Sequence, residues 1–211
     1  MTNEQKNQLT TLVDKTLEIV DKKHMDIFNR NYLSMLYAEH EGLNPKYILN
    51  FIMKAQLAGA DPRKNDVYLI ERWTKNGPVG TVVFSYNFML SQALQTGEYK
   101  GIQVKSAKEN VFDPHNCEEK EMLVATALVR RDDVETEYKA RWNEYNNPKN
   151  PQFKAKPYLM LEKCAIAGAL RRAFPESLSN VFIEDEIRGD VPTKDEEAAT
   201  DLTKQFTTEE E

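Results

Sequence analysis

Few residues in this 211-residue chain are of the kinds that carry covalent chemistry. There are two cysteines, Cys117 and Cys164, too few for a disulfide framework. Cys164 falls in a strong helical pattern and reads as a small packing residue. The three histidines, His24, His40 and His115, are scattered. His115 and Cys117 make at most half of a metal site, since no second pair stands at ligand spacing. The stretch Gly97-Glu98-Tyr99-Lys100-Gly101 has neither the length nor the Gly-Lys-Ser/Thr ending of a phosphate-cradling loop, which argues against nucleotide hydrolysis. No Gly-x-Ser-x-Gly elbow is present. No apolar run approaches the ~18 residues of a membrane span. Met1-Thr2-Asn3-Glu4-Gln5 lacks the charged-then-apolar layout of a secretory signal, and a reducing cytoplasm fits these features.

What is present is charge, unevenly placed. The net charge is −6, but from Glu184 to Glu211 there are eleven acids and three bases. The first 183 residues keep 25 bases and 23 acids, a net of +2. Residues 188–211 therefore read as an acidic disordered tail, and residues 1–187 as a slightly basic globular body.

Along the body, residues 3 to about 59 read as helices. Leu9, Leu12, Val13, Leu17 and Val20 hold three-four spacing, a second segment runs from about Met25 to Glu41, and a third opens at Asn44-Pro45. Asp66–Arg72 and Thr81–Phe84 suggest a hairpin through Lys75-Asn76-Gly77-Pro78. Asn87–Gln95 reads as a helix, Tyr99–Lys105 as a strand, Asn110–Lys120 as a polar loop and Met122–Arg130 as a strand. Val134–Trp142 alternates with a period of two, a half-buried hairpin arm. Pro157 opens a long helix that Pro175 closes, and Ser177–Glu186 reads as a short helical continuation. The expected class is α+β: N-terminal helices, a small antiparallel sheet with hairpins, and a long C-terminal helix packed on the sheet.

That long helix is the most informative segment. Leu159, Met160, Ile166, Ala167, Leu170 and Phe174 fall within about 120° of one another, an expected core stripe. Lys163 lies within it, so its ammonium needs a route to water, a carboxylate or an anionic ligand. Arg171 sits on the stripe's edge and Arg172 on the far face. Cations also stand beside flat side chains elsewhere: Arg63 and Lys64 before the first strand, Arg72, Trp73 and Lys75 at the hairpin tip, and Lys154 and Lys156 around Phe153. Cations neutralise phosphates and aromatics stack bases, although each pair alone is ordinary surface. Two other readings compete. Asp61, Asp66 and Glu71 flank the first strand as in some metal-dependent DNA-processing enzymes, and basic turns also suit an adaptor for acidic partners.

Four segments resemble one family. Asp61-Pro62-Arg63-Lys64 with Val67-Tyr68-Leu69-Ile70 is similar to the "DPRK…IYAI" element of the phage recombination protein Bet family, the Redβ/RecT single-strand annealing proteins. Thr96–Gly101 resembles its "TGEYxG". Met160–Ala165 with Ala169–Pro175 resembles "ML-x-K-C-A…ALRRAFP", and Leu178 with Val181–Glu186 resembles its "L…-Y-x-x-DE" ending. The matches are in order and span residues from about 58 to 187. The resemblance implies a non-catalytic protein without cofactor or metal, acting in the cytoplasm of a bacterial host. It implies binding of single-stranded DNA, annealing of complementary strands without ATP, and retention of the duplex in a homo-oligomeric ring or filament. An accompanying phage exonuclease and the host single-strand-binding protein are the implied partners; no membrane is. Residues 1–187 then form the annealing domain, with 1–59 as its helical oligomerisation region. Carried onto this chain, the DNA-contacting positions are Arg63, Lys64, Lys75, Phe153, Lys163 and Arg171, and the neighbouring cations Lys156 and Arg172 complete the expected set. Asn87-Phe88-Met89-Leu90 departs from the family's Asp-Gly-Phe-Arg-like element and loses an arginine.

Overall fold

The computed structural model describes residues 3–74, 77–113, 117–147 and 150–186. Lys75 and the acidic segment 188–211 lie outside the described residues. The chain forms two compact units that divide between Val83 and Phe84.

The first unit is built from three helices and a hairpin: α1 (Asn3–Ile19), α2 (Arg30–Glu39), α3 (Pro45–Ala58), β1 (Val67–Thr74) and β2 (Gly77–Phe84). Helix α2 starts later than the apolar spacing suggests, because Asn29 caps it: its side chain accepts from the Tyr32 amide. Met25 instead follows a short 3-10 turn, Lys22–His24. Helix α3 opens on Asn44 and Pro45 and stops at Gly59, whose φ of +68° is left-handed. The core gathers Val13, Phe28, Leu33, Ile48, Phe51 and Ile52, all at most 1% exposed. Phe28 meets Phe51 edge-on, centroids 6.4 Å apart.

The second unit is a three-stranded antiparallel sheet, order β3-β4-β5, with a long helix packed against all three strands. Its strands are β3 (Tyr99–Asp113), β4 (Glu118–Arg131) and β5 (Val134–Arg141). Its helices are α4 (Tyr86–Gln95), α5 (Trp142–Tyr145), α6 (Pro151–Ala155), α7 (Pro157–Ala173) and α8 (Pro175–Leu178). The expected α+β class is the observed one.

Two local expectations change. Most of Asn110–Lys120 is strand rather than loop, because β3 and β4 stay paired out to Asp113 and Glu118. Its polar composition hides the strands, since both faces of this ribbon meet water and no apolar alternation develops. Ion pairs lace it instead: Lys108 to Glu121 at 3.0 Å and Lys120 to Asp113 at 3.3 Å.

On α7, the buried seam is shifted from the expected stripe. Leu159 is 46% exposed, and Ile166 and Lys163 are half-buried. Met160, Ala167, Leu170 and Phe174 of that stripe are buried as expected, and the rest of the seam is Leu161, Cys164, Ala165 and Gly168. Small side chains let the helix approach β4 and β5 closely. A Cβ at Gly168 would lie 2.6 Å from the Tyr138 ring, so only glycine fits there. Periodicity weighted towards large side chains overlooks a seam made of small ones.

Candidate nucleic-acid interface

The most open cluster of cations in the second unit is the corner where α6 turns into α7. Asn150 caps α6 by accepting from the Gln152 amide, and Pro151 fills its first position. Phe153, 1% exposed, points inward and lies 6.0 Å from the Trp142 ring, centroid to centroid. That contact fixes the corner and leaves Lys154 and Lys156 exposed on either side of the buried ring. Among the described residues, neither lysine has a carboxylate partner.

Lys156 also stands at the N-terminal end of α7, where no side chain caps the helix and no acid occupies the first turn. The first amides of a helix carry partial positive charge that favours anions. Tyr158, 54% exposed, and Leu159 follow. Lys163 is seven residues beyond Lys156, about 10 Å along the axis and on the same flank. It is half-buried and also engaged within the fold. The corner thus presents cations, uncapped amides and an exposed ring on one short stretch of surface.

Other expected contacts are placed differently. Phe153, an expected DNA-contacting position, has its ring packed away and offers no face to a base in this conformation. Arg171 is held inside the unit, its side chain 19% exposed. Its Nε donates to the Val181 carbonyl and its Nη2 to Glu186 Oε2. The Phe182 ring lies 4.4 Å from the guanidinium. Glu186 Oε2 accepts from the Ile183 amide as well. Burial raises the Glu186 carboxyl above its ordinary 4.5, with Arg171 pulling the other way. Arg171 therefore clasps the segment 181–186 onto α7 rather than projecting towards a ligand. Arg172 is exposed and lies 4.5 Å over the Tyr138 ring.

In the first unit, Asp61-Pro62-Arg63-Lys64 is a knot of local bonds. Asp61 accepts from the Arg63 amide, capping the 3-10 turn Pro62–Lys64. The Arg63 guanidinium grips the same carboxylate through Nε at 3.1 Å and Nη2 at 3.0 Å, and reaches Asp26 at 3.1 Å. Arg63 holds the Asp61 carboxyl below the usual carboxylate range. With two carboxylates on it, Arg63 retains little positive field, whereas Lys64 is exposed and unpaired among the described residues. Asp61 is thereby committed to Arg63, Asp66 accepts from the Asp61 amide, and Glu71 lies 3.7 Å from His40. No three such side chains among the described residues gather to hold a metal. Trp73, near the end of β1, is 79% exposed beside Arg72.

Most cations of the sheet are neutralised in place: Arg130 by Glu135, Lys139 by Glu109, Arg141 by Glu144. Arg131 joins Glu98, Glu176 and the Ala173 carbonyl at the end of α7. Tyr158 is absent from the expected contacts, and its signal is the uncapped helix start that Pro157 announces; Lys154 is legible as a cation beside Phe153 but is not among the positions expected to contact DNA.

These features, a paired-off sheet beside an open basic corner with one exposed ring, suit a protein that touches a polyanion lightly. The chain matches the model of the RecT family over residues 18–201 and belongs to that family, a family of phage recombination and annealing proteins. No curated protein matches the chain. No helix among the described residues is long and apolar enough to cross a membrane.

Proposed function

We propose that this chain binds single-stranded DNA and anneals it to a complementary strand without ATP, working as a homo-oligomer laid along the strand. Membership of the RecT family is the observation that carries this reading, and the open α6–α7 corner supplies its chemistry. Lys154, Lys156 and Lys163, with Arg172 as an outlying cation of the same unit, neutralise phosphates, and Lys64 of the first unit is a separate candidate contact. Bases stay free to be tested by the incoming strand, and each stacked pair adds about 1.4 kcal/mol. A few phosphate contacts per protomer bind weakly, and neighbours on one strand multiply them through effective concentration. Residues 1–187 act together as the annealing domain in the host cytoplasm, alongside a phage exonuclease and the host single-strand-binding protein.

Fluorescent complementary oligonucleotides mixed with the protein, without nucleotide or metal, should pair and remain full length. The Lys154→Ala/Lys156→Ala variant should fold normally and flatten the plot of log affinity against log salt by about 1.4, roughly 0.7 per lost phosphate contact on single strands. An unchanged slope removes this corner from the interface. Shortened strands would remove the annealing reading.

The N-terminal helices are proposed to give part of the contact between protomers. Met35 on α2 and Leu57 on α3 are 71% and 85% exposed, a poor use of apolar surface in an isolated chain. A Met35→Asp/Leu57→Asp variant keeps the core intact and should fail to assemble on single-stranded DNA in sedimentation velocity. Assembly equal to wild type would place the contact elsewhere.

A further inference from the structure

Strand β3 pairs with β4 along its whole length, from Tyr99↔Arg131 to Asp113↔Glu118. Strand β5 covers only the inner part of β4, from Val124 to Arg131. Among the described residues, 118–123 of β4 therefore have no strand on their β5 side, and β3 has none on its outer side. The uncovered ribbon is six pairs long, about 20 Å at 3.4 Å per residue. A bare two-stranded ribbon is at best marginally stable in water, and this one carries Phe112 58% exposed near its end.

The two open edges have opposite charge. On β4, Glu118 and Glu119 have no ion-pair partner among the described residues, while Glu121 and Lys120 pair with Lys108 and Asp113 of β3; on β3, Lys105 has none, Lys100 pairs with Asp132 and Glu109 with Lys139. Charged edges resist pairing with their own kind. An antiparallel two-fold pairing of the β4 edge centred on Lys120 sets Lys120 against itself and Glu119 against Glu121; centred on Glu121, it opposes two glutamates. Like charges directly opposite are destabilising. Unlike edges have no such penalty.

We infer that the ribbon joins a second copy of this chain by strand addition, the acidic β4 edge at 118–123 of one copy receiving the lysine-bearing β3 edge of the next. The contact is head-to-tail, so each copy keeps one edge open for a further neighbour. It supplements the helical contact proposed above and rests on the reading of this chain as a homo-oligomer.

Glu118, Glu119 and Lys105 have no ion-pair partner among the described residues, so reversing them leaves the fold intact. Two variants, Glu118→Lys/Glu119→Lys and Lys105→Glu, are compared on a long single-stranded oligonucleotide by sedimentation velocity, with DNA affinity followed by anisotropy. Each variant alone should sediment as isolated protomers on the strand. An equimolar mixture should regain wild-type assembly, because alternating copies restore opposite charges at every junction. Wild-type assembly by either variant alone, or a mixture no better than its components, overturns the strand-addition contact and leaves the annealing reading standing. If the wild-type chain itself does not assemble, the homo-oligomer reading falls, and this contact with it.

Discussion

Arg171→Ala should lower stability to urea by about 3–5 kcal/mol, because it leaves the Glu186 carboxylate buried without its counter-ion. The side chain of Glu186 is only 6% exposed. The same change removes the bond to the Val181 carbonyl and the contact with Phe182. Its pH dependence identifies the cause. In the wild-type chain burial already holds the Glu186 carboxyl above its ordinary 4.5. A folded value above the unfolded one gives a contribution that is complete below about 4.5 and lost as pH rises through the folded value. Taking away the guanidinium removes an influence that lowers this carboxyl, so it rises further. The deficit of the variant should accordingly be smallest in acid, where Glu186 is neutral in both proteins, and should grow with pH. A variant as stable as wild type that binds DNA with a salt slope flatter by about 0.7 would make Arg171 a phosphate contact instead.

Phe153→Ala should cost a further 3–5 kcal/mol or so in unfolding experiments, the usual range for removing a buried phenyl ring. The packing against Trp142 is lost, and with it the anchor that turns Lys154 and Lys156 outward. Trp142 fluorescence, measured in a Trp73→Phe background, reads out that loosened packing. Phe153→Leu separates anchoring from base stacking. Leucine keeps most of the apolar volume but has no aromatic face, so DNA affinity should stay close to wild type. A folded Phe153→Leu protein that had lost DNA binding would restore the stacking role.

How much was legible in the sequence follows from how local each signal is. Asn44-Pro45 and Gly59 bracket α3, and the period of two over Val134–Arg141 marks β5, because caps and alternation act within a few residues. The DNA-contact set was less legible because a cation's availability depends on distant partners. Arg171 meets Glu186 fifteen residues away, and the burial of Phe153 depends on Trp142. Spacing on one helix shows neither. The ribbon at 106–121 was missed for a different reason: strands wet on both faces carry no hydrophobic period. Arg63 is the intermediate case, since Asp61 two residues before it is a local cap whereas Asp26 is remote.

The ion pairs that blanket the sheet have a kinetic consequence. With Arg130, Lys139 and Arg141 each answered by a carboxylate of the same chain, a bound strand is gripped at few points and can slip, peel away and reseat quickly. In the homo-oligomer proposed above, residence on any one protomer is short, and only an uninterrupted complementary tract outlasts it. Proofreading of the match is then a matter of dwell time, set by how sparingly each subunit holds on.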